Sequence, residues 1–133
     1  MGPMQWRANH SVLVVDDNDA GRYAISHALR SAGFRTVEAR SGAQALELAG
    51  YVSAVVLDVH LPDVHGFEVC RLIRQRQPRV PVVHVSAVYV EEPSRAAGLA
   101  AGAAAYFVRP VDPSELTHML EHVLGRDDEV ALH

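Results

Sequence analysis

Ser11-Val12-Leu13-Val14-Val15-Asp16-Asp17 is a short apolar run that ends on two adjacent carboxylates. The run is too short for an ordinary helix and rich in Val, the composition of a strand buried on both faces. Four more short, mostly apolar runs follow, Thr36–Ala39, Ala54–Leu57, Val82–Val85 and Ala105–Val108, and three of the five are rich in Val. Helical stripes lie between them. Ile25, Ala28, Leu29 and Ala32 repeat at i, i+3, i+4 and i+7, as do Leu116, Met119, Leu120 and Val123. The punctuation agrees with the period. Ser41-Gly42-Ala43-Gln44 and Asp112-Pro113-Ser114-Glu115 read as capping boxes, and Glu92-Pro93 opens a fourth helix. Gly33, Gly50 and Gly125 stand where a left-handed C-cap residue is wanted.

Strict alternation of strand and helix predicts an α/β fold of (βα)₅ type: a five-stranded parallel sheet, doubly wound, with helices on both faces. In such sheets the functional crevice lies beyond the C-terminal ends of the strands, where the strand order reverses. That rule says where chemistry belongs.

The 133 residues make one domain, and 49% hydrophobic content excludes a disordered chain. A formal net charge of −4 argues against direct binding of nucleic acid, which needs a basic surface. The lone cysteine, Cys70, excludes an internal disulfide and fits a reducing compartment. No secretory signal is legible, and the longest apolar stretch, Ala96–Val108, is shorter than the roughly 20 residues of a membrane span. The expectation is a cytoplasmic protein without membrane contact. Residues 1–10 lack periodicity and are expected to be an unstructured segment or tag remnant, with the domain at 11–125 and a polar tail at 126–133.

Four of the five strands end in a residue suited to phosphate chemistry: Asp16-Asp17, Asp58, Ser86 and Arg109. A single strand-end Asp is often only a helix cap or turn former. Three that converge with a hydroxyl and a cation repel one another unless a divalent ion joins them. Mg²⁺ suits that ligand set and bridges readily to phosphoryl oxygen.

Val14-Val15-Asp16-Asp17-Asn18, Val56-Leu57-Asp58-Val59-His60-Leu61-Pro62, His65-Gly66-Phe67-Glu68, Val85-Ser86-Ala87 and Tyr106-Phe107-Val108-Arg109-Pro110 resemble, in order, the signature blocks of response-regulator receiver domains, the CheY-like modules of two-component signalling. The resemblance runs from about Ser11 to Leu124. It implies the flavodoxin-like strand order 2-1-3-4-5. Asp58 would be the phosphoacceptor, fed by a histidine kinase or phosphotransfer protein. Asp17, Asp58 and the backbone carbonyl of His60 would bind Mg²⁺, and Asp16 would reach it through water. Ser86 would donate to a phosphoryl oxygen, Tyr106 would be the aromatic switch residue, and Pro110 would follow a cis peptide. The output would pass to a partner or effector domain, or to a homodimer, through the fourth and fifth helices and the strand between them. Chemistry would be limited to self-phosphorylation and autodephosphorylation, not enzymatic turnover.

Arg109 breaks the pattern, since the family carries Lys there. All twelve basic residues are Arg, so a general preference for Arg is one reading. A planar fork that pairs bidentately with Asp58, or reaches phosphate differently, is the other. The second leaves open a pseudo-receiver, the same fold used as a phosphorylation-independent docking or dimerisation module. A phosphatase using a strand-end Asp nucleophile would want a second acid where His60 stands. His60 itself reads as a cap on the crevice or a base. His118 and His122 have the spacing of a zinc pair but no third ligand, and Ser26-His27-Ala28-Leu29-Arg30 resembles a kinase phosphorylation helix without its nucleotide motifs; both read as solvated faces. Cys70 reads as core.

Overall fold

The computed structural model describes residues 2–86 and 92–126, with the backbone alone for 92–94. A short helix, α1 (Pro3–Arg7), comes first. Five strands then alternate with helices: β1 (Ser11–Val15), α2 (Asp19–Ser31), β2 (Arg35–Ala39), α3 (Gly42–Leu48), β3 (Ala54–Asp58), α4 (Gly66–Arg76), β4 (Val82–Ser86), α5 (Glu92–Ala100), β5 (Ala105–Val108) and α6 (Pro113–Val123). All strand pairs are parallel and the order is β2-β1-β3-β4-β5, as the resemblance implies.

The Val-rich runs are buried on both faces because successive side chains alternate across the sheet. Leu13, Val15, Val55, Leu57 and Val82 face α3 and α4, where Ala45, Val69, Cys70 and Ile73 complete one core. Val12, Val14, Val56, Val83 and Val85 face α2 and α6, meeting Ile25, Leu29, Leu116 and Leu120. Each such side chain contributes roughly 1.5–3 kcal/mol by leaving water, which makes the sheet a rigid platform for what stands on its rim.

The N-cap bonds form, although the Gln44 side chain accepts from the Arg40 N–H at 2.7 Å and not from that of Ser41, so the Ser41 box is half made. The Ser41 hydroxyl accepts from the Gln44 N–H at 3.2 Å, and Asp112 accepts from the Ser114 N–H at 2.8 Å with Pro113 in the first turn. Gly33 and Gly125 take the left-handed conformation at φ +110° and +84°. Gly50 does not. It sits inside a 3₁₀ turn, Ala49–Tyr51, that prolongs α3 instead of ending it.

The N-terminal expectation is corrected. Pro3–Arg7 is helical, and Trp6, only 4% exposed, plugs the end of the core beside Val12 and Phe34. Arg7 fastens the helix by donating to Glu121 of α6 at 2.7 Å and to the Ala32 carbonyl at 2.8 Å. Five residues are too few to show a period, so one buried ring carries the docking. The tail from residue 127 and Ala87 of the fourth signature block lie outside the described residues. No described helix is long and apolar enough to cross a membrane.

Candidate functional site

The strand order reverses between β1 and β3, and both strands end on acids. Val15 pairs with Leu57, so the next residues, Asp16 and Asp58, stand side by side at the C-terminal rim. Asp17 follows on the loop, exposed, while Asp16 and Asp58 are 1% and 8% exposed. One carboxylate oxygen from each of the three lies within 4.8 Å of the others. Burial pushes the Asp58 carboxyl up to about 6; the His60 N–H, donating at 3.2 Å, and the charge of Arg109 pull against that rise, while the charge of Asp16 adds to it.

Arg109 leaves the end of β5 and lands on Asp16, not Asp58. Its Nη2 donates to Asp16 Oδ2 at 2.5 Å, a single contact in place of the bidentate Asp58 pair that the fork would allow. Its Nε is buried without a hydrogen-bond partner. Ser86 is fully buried at the end of β4, one residue past the register partner of Asp58, and its carbonyl accepts from the Arg109 N–H at 2.8 Å. The Arg109–Pro110 peptide is cis.

Tyr106 sits deeper. It pairs in register with His84, two residues before Ser86, and is 4% exposed among the rings of His84 at 5.9 Å and Phe67 at 6.4 Å. The site residues therefore divide into a rim group, with Asp16, Asp17, Asp58 and Arg109 together and Ser86 on the next strand end, and a buried ring beneath. The His60 side chain is exposed over the loop, its ring 6.1 Å from that of His65. His27, His118 and His122 lie on exposed faces and Cys70 is fully buried, as read from the sequence.

Several supporting residues escaped sequence reasoning. Arg22, on the buried side of α2, donates to the Asp16 carbonyl at 2.8 Å, to Asp19 at 2.6 Å and to Glu38 at 3.0 Å, fixing the β1–α2 turn. Its position three residues before Ile25, on the apolar stripe, was the available signal. Asp63 accepts from the N–H groups of Gly42 and Ala43 at 2.9 and 3.0 Å, tying the β3–α4 loop to the start of α3. Gly66 packs so closely over the end of β3 that a Cβ there would fall 2.5 Å from the Asp58 carbonyl. His84 was passed over inside a Val run; burial lowers its pKa to about 4.

The profile described as the response regulator receiver domain matches residues 12–121. The chain belongs to this family. Similar proteins include the two-component response regulator ORR11 of Oryza sativa subsp. indica, 35% identical over 119 residues that cover 85% of this chain and 80% of that one. The alkaline phosphatase synthesis regulator PhoP of Bacillus subtilis is 32% identical over 125 residues, covering 92% of this chain and 52% of PhoP. The chain likewise spans 49% of the probable transcriptional regulator ycf27 of Porphyra purpurea, at 36% identity over 121 residues and 90% of this chain. It thus spans about half the length of several of its relatives. Among solved structures, the BeF3-activated DrrB receiver domain superposes with a TM-score of 0.79 at 30% identity, covering 86% of this chain and 97% of that one. Vibrio cholerae CheY4 superposes with a TM-score of 0.78 at 29% identity, covering 86% and 98%. The receiver domain described here is therefore a component of two-component signalling.

Proposed function

We propose that Asp58 accepts a phosphoryl group from a histidine kinase or phosphotransfer protein, in a Mg²⁺-dependent step, as the phosphoacceptor module of a phosphorelay. The observation that carries this reading is the meeting of three carboxylates within 4.8 Å at the switch point of the sheet, with one guanidinium among them. Burial is the main reason that the Asp58 carboxyl resists ionising, and the neighbouring charge of Asp16 adds to it. A hard divalent cation fits that donor set. Asp17, Asp58 and the carbonyl of His60 would hold it, with Asp16 bound through water. When present it neutralises phosphoryl oxygens as charge develops.

The chain's own residues do the rest. An Asp58 carboxylate oxygen forms the new bond to phosphorus while the donor's bond to phosphorus breaks. Ser86 donates its hydroxyl to a phosphoryl oxygen, and Arg109 supplies fixed positive charge. The hydrogen bond from Ser86 biases the aromatic pocket of Tyr106 below it, and α5, β5 and α6 carry the change to an effector or to a second copy. The protein takes and sheds a phosphoryl group on its own carboxylate and turns over no separate substrate. The known BeF3-activated state of DrrB, a relative at 30% identity, supports the reading.

The pairing of Arg109 with Asp16 favours a second reading, in which this internal cation occupies the acidic site and the fold serves as a phosphorylation-independent docking module. One experiment separates the two. The protein is incubated with Mg²⁺ and acetyl phosphate beside Asp58→Asn and weighed intact. A phosphoryl adduct on the parent that is lost in the variant is the expected result. No adduct at any donor concentration sinks the phosphoacceptor reading and leaves the docking module.

A further inference from the structure

Gly21 occupies the first turn of α2, where alanine would be the better helix former. Its backbone gives no reason for glycine, because its φ is not positive. Its N–H donates to the Asn18 cap at 2.8 Å, a bond any residue could make. What the position lacks is room. A Cβ on Gly21 would stand 2.5 Å from Arg109 Nη1 and 2.6 Å from Asp16 Oδ2. Asp16 is pinned by the Asn18 N–H on its other oxygen, at 2.9 Å, and is almost fully buried. Both neighbours must give: the guanidinium, the end of a flexible chain, yields more readily, while the contact with Asp16 persists whatever stands at 109.

We propose that Gly21 is a positioning residue for Arg109: the absent side chain opens the space in which the wide fork lies against Asp16. Glycine at 21 and arginine at 109 are then one coupled feature. An arginine fork is broad and planar where a lysine ammonium is compact. A lysine at this position would carry no second terminal nitrogen to meet the added methyl. The inference rests on the phosphoryl-transfer reading for its consequence, although not for its geometry. With the space filled, the fork leaves Asp16, and the positive charge that Asp58 and an incoming phosphoryl group meet is no longer fixed.

The test uses four proteins: the parent, Gly21→Ala, Arg109→Lys and the double variant. The first readout is the rate of acetyl phosphate labelling at fixed Mg²⁺. Gly21→Ala should slow labelling roughly tenfold or more in the parent background, since small misplacements of such groups have large effects. In the Arg109→Lys background, where only the Asp16 contact remains, the same change should slow labelling at least about threefold less than in the parent. The second readout is proton exchange at Arg109 Nε–H, buried in the parent and identified in NMR spectra by its loss in Arg109→Lys. Gly21→Ala should expose it and speed its exchange. Equal slowing in both backgrounds overturns the proposal, as does an unchanged rate in the parent background. If the parent takes no phosphoryl group, the functional reading fails separately and exchange at Nε–H alone decides: unchanged protection in Gly21→Ala rejects the role of Gly21, and accelerated exchange sustains it.

Discussion

The two ends of the sheet carry buried charge in opposite states. At the C-terminal rim three carboxylates, Asp16, Asp17 and Asp58, share one guanidinium, whose Nε has no partner. At the N-terminal end a single carboxylate, Glu121, meets two arginines, Arg7 at 2.5 Å and Arg126 at 3.6 Å. Arg7 is further satisfied by the Ala32 carbonyl, and Arg126 lies 5.8 Å over the ring of Trp6. Buried ions are tolerable when each is paired and hydrogen-bonded, and costly otherwise. The lower end is complete as it stands. The upper end gathers like charges at the rim of the sheet, with a guanidinium hydrogen-bonded to Asp16. On the phosphoacceptor reading, structure and function are sorted to opposite ends of one platform.

Neutralising the unsatisfied end is the most direct way to break this contrast. Asp58 holds a pKa of about 6 in the fold against an ordinary 3.8. A carboxyl whose folded pKa is raised destabilises the fold whenever it must ionise. The cost is full above pH 6, shrinks as pH falls, and is gone below 3.8. Without Mg²⁺, Asp58→Asn should therefore stabilise the protein by up to about 3 kcal/mol at pH 7, and by almost nothing near pH 3.8. Urea unfolding of parent and variant across that range checks it. A constant difference at all pH values would remove charge as the cause. His84 runs the other way in both proteins: its folded pKa of about 4 lies below 6.5, so its destabilising contribution is absent above pH 6.5 and grows on acidification, and it cancels in the comparison.

The satisfied end should respond with the opposite sign. Glu121→Ala removes the carboxylate that both Arg7 and Arg126 pair with, although Arg7 keeps the Ala32 carbonyl. Their side chains keep 15% and 19% exposure, so solvent softens the penalty. A loss of about 2 kcal/mol is expected in the same unfolding assay, with acetyl phosphate labelling unchanged. A labelling defect as large as the stability loss would show that the two ends are not independent.

This division also explains what could be read from the chain. The three central strands are legible because Val12 to Val15 and their counterparts in β3 and β4 are buried on both faces, whereas the edge strands β2 and β5 are partly exposed. The acids were legible because topology sends every strand end to one rim. What escaped was whatever depends on a neighbour distant in sequence. Gly21 answers to Arg109 and Gly66 to Asp58, so nothing local distinguishes either from a poor helix residue. Trp6 is one ring in a helix too short for a period. Arg22 and His84 are polar residues inside apolar patterns, and their partners, the Asp16 and Leu57 carbonyls, become visible only in three dimensions. Landing Arg109 on Asp16 needed the actual path of its side chain, since charge alone favours Asp58 equally.

The finest test lies within the rim itself. If the acids are a cation site, they should not be equivalent to the hydroxyl beside them. Asp17 is the exposed member of the three and has no hydrogen bond from a guanidinium to occupy it among the described residues. It is the carboxylate freest to turn toward an ion. Asp17→Ala should weaken Mg²⁺ binding at least about tenfold, or about 1.4 kcal/mol, in a calorimetric titration. Ser86 is a hydroxyl buried on the next strand, suited to phosphoryl oxygen more than to the ion, so Ser86→Ala should leave Mg²⁺ affinity within about twofold while slowing labelling. Equal weakening by both would mean that the ion is held by the rim as a diffuse field and not by named ligands. The upper end would then be no more specific in its chemistry than any cluster of acids, and its contrast with Glu121 would reduce to a difference in net charge.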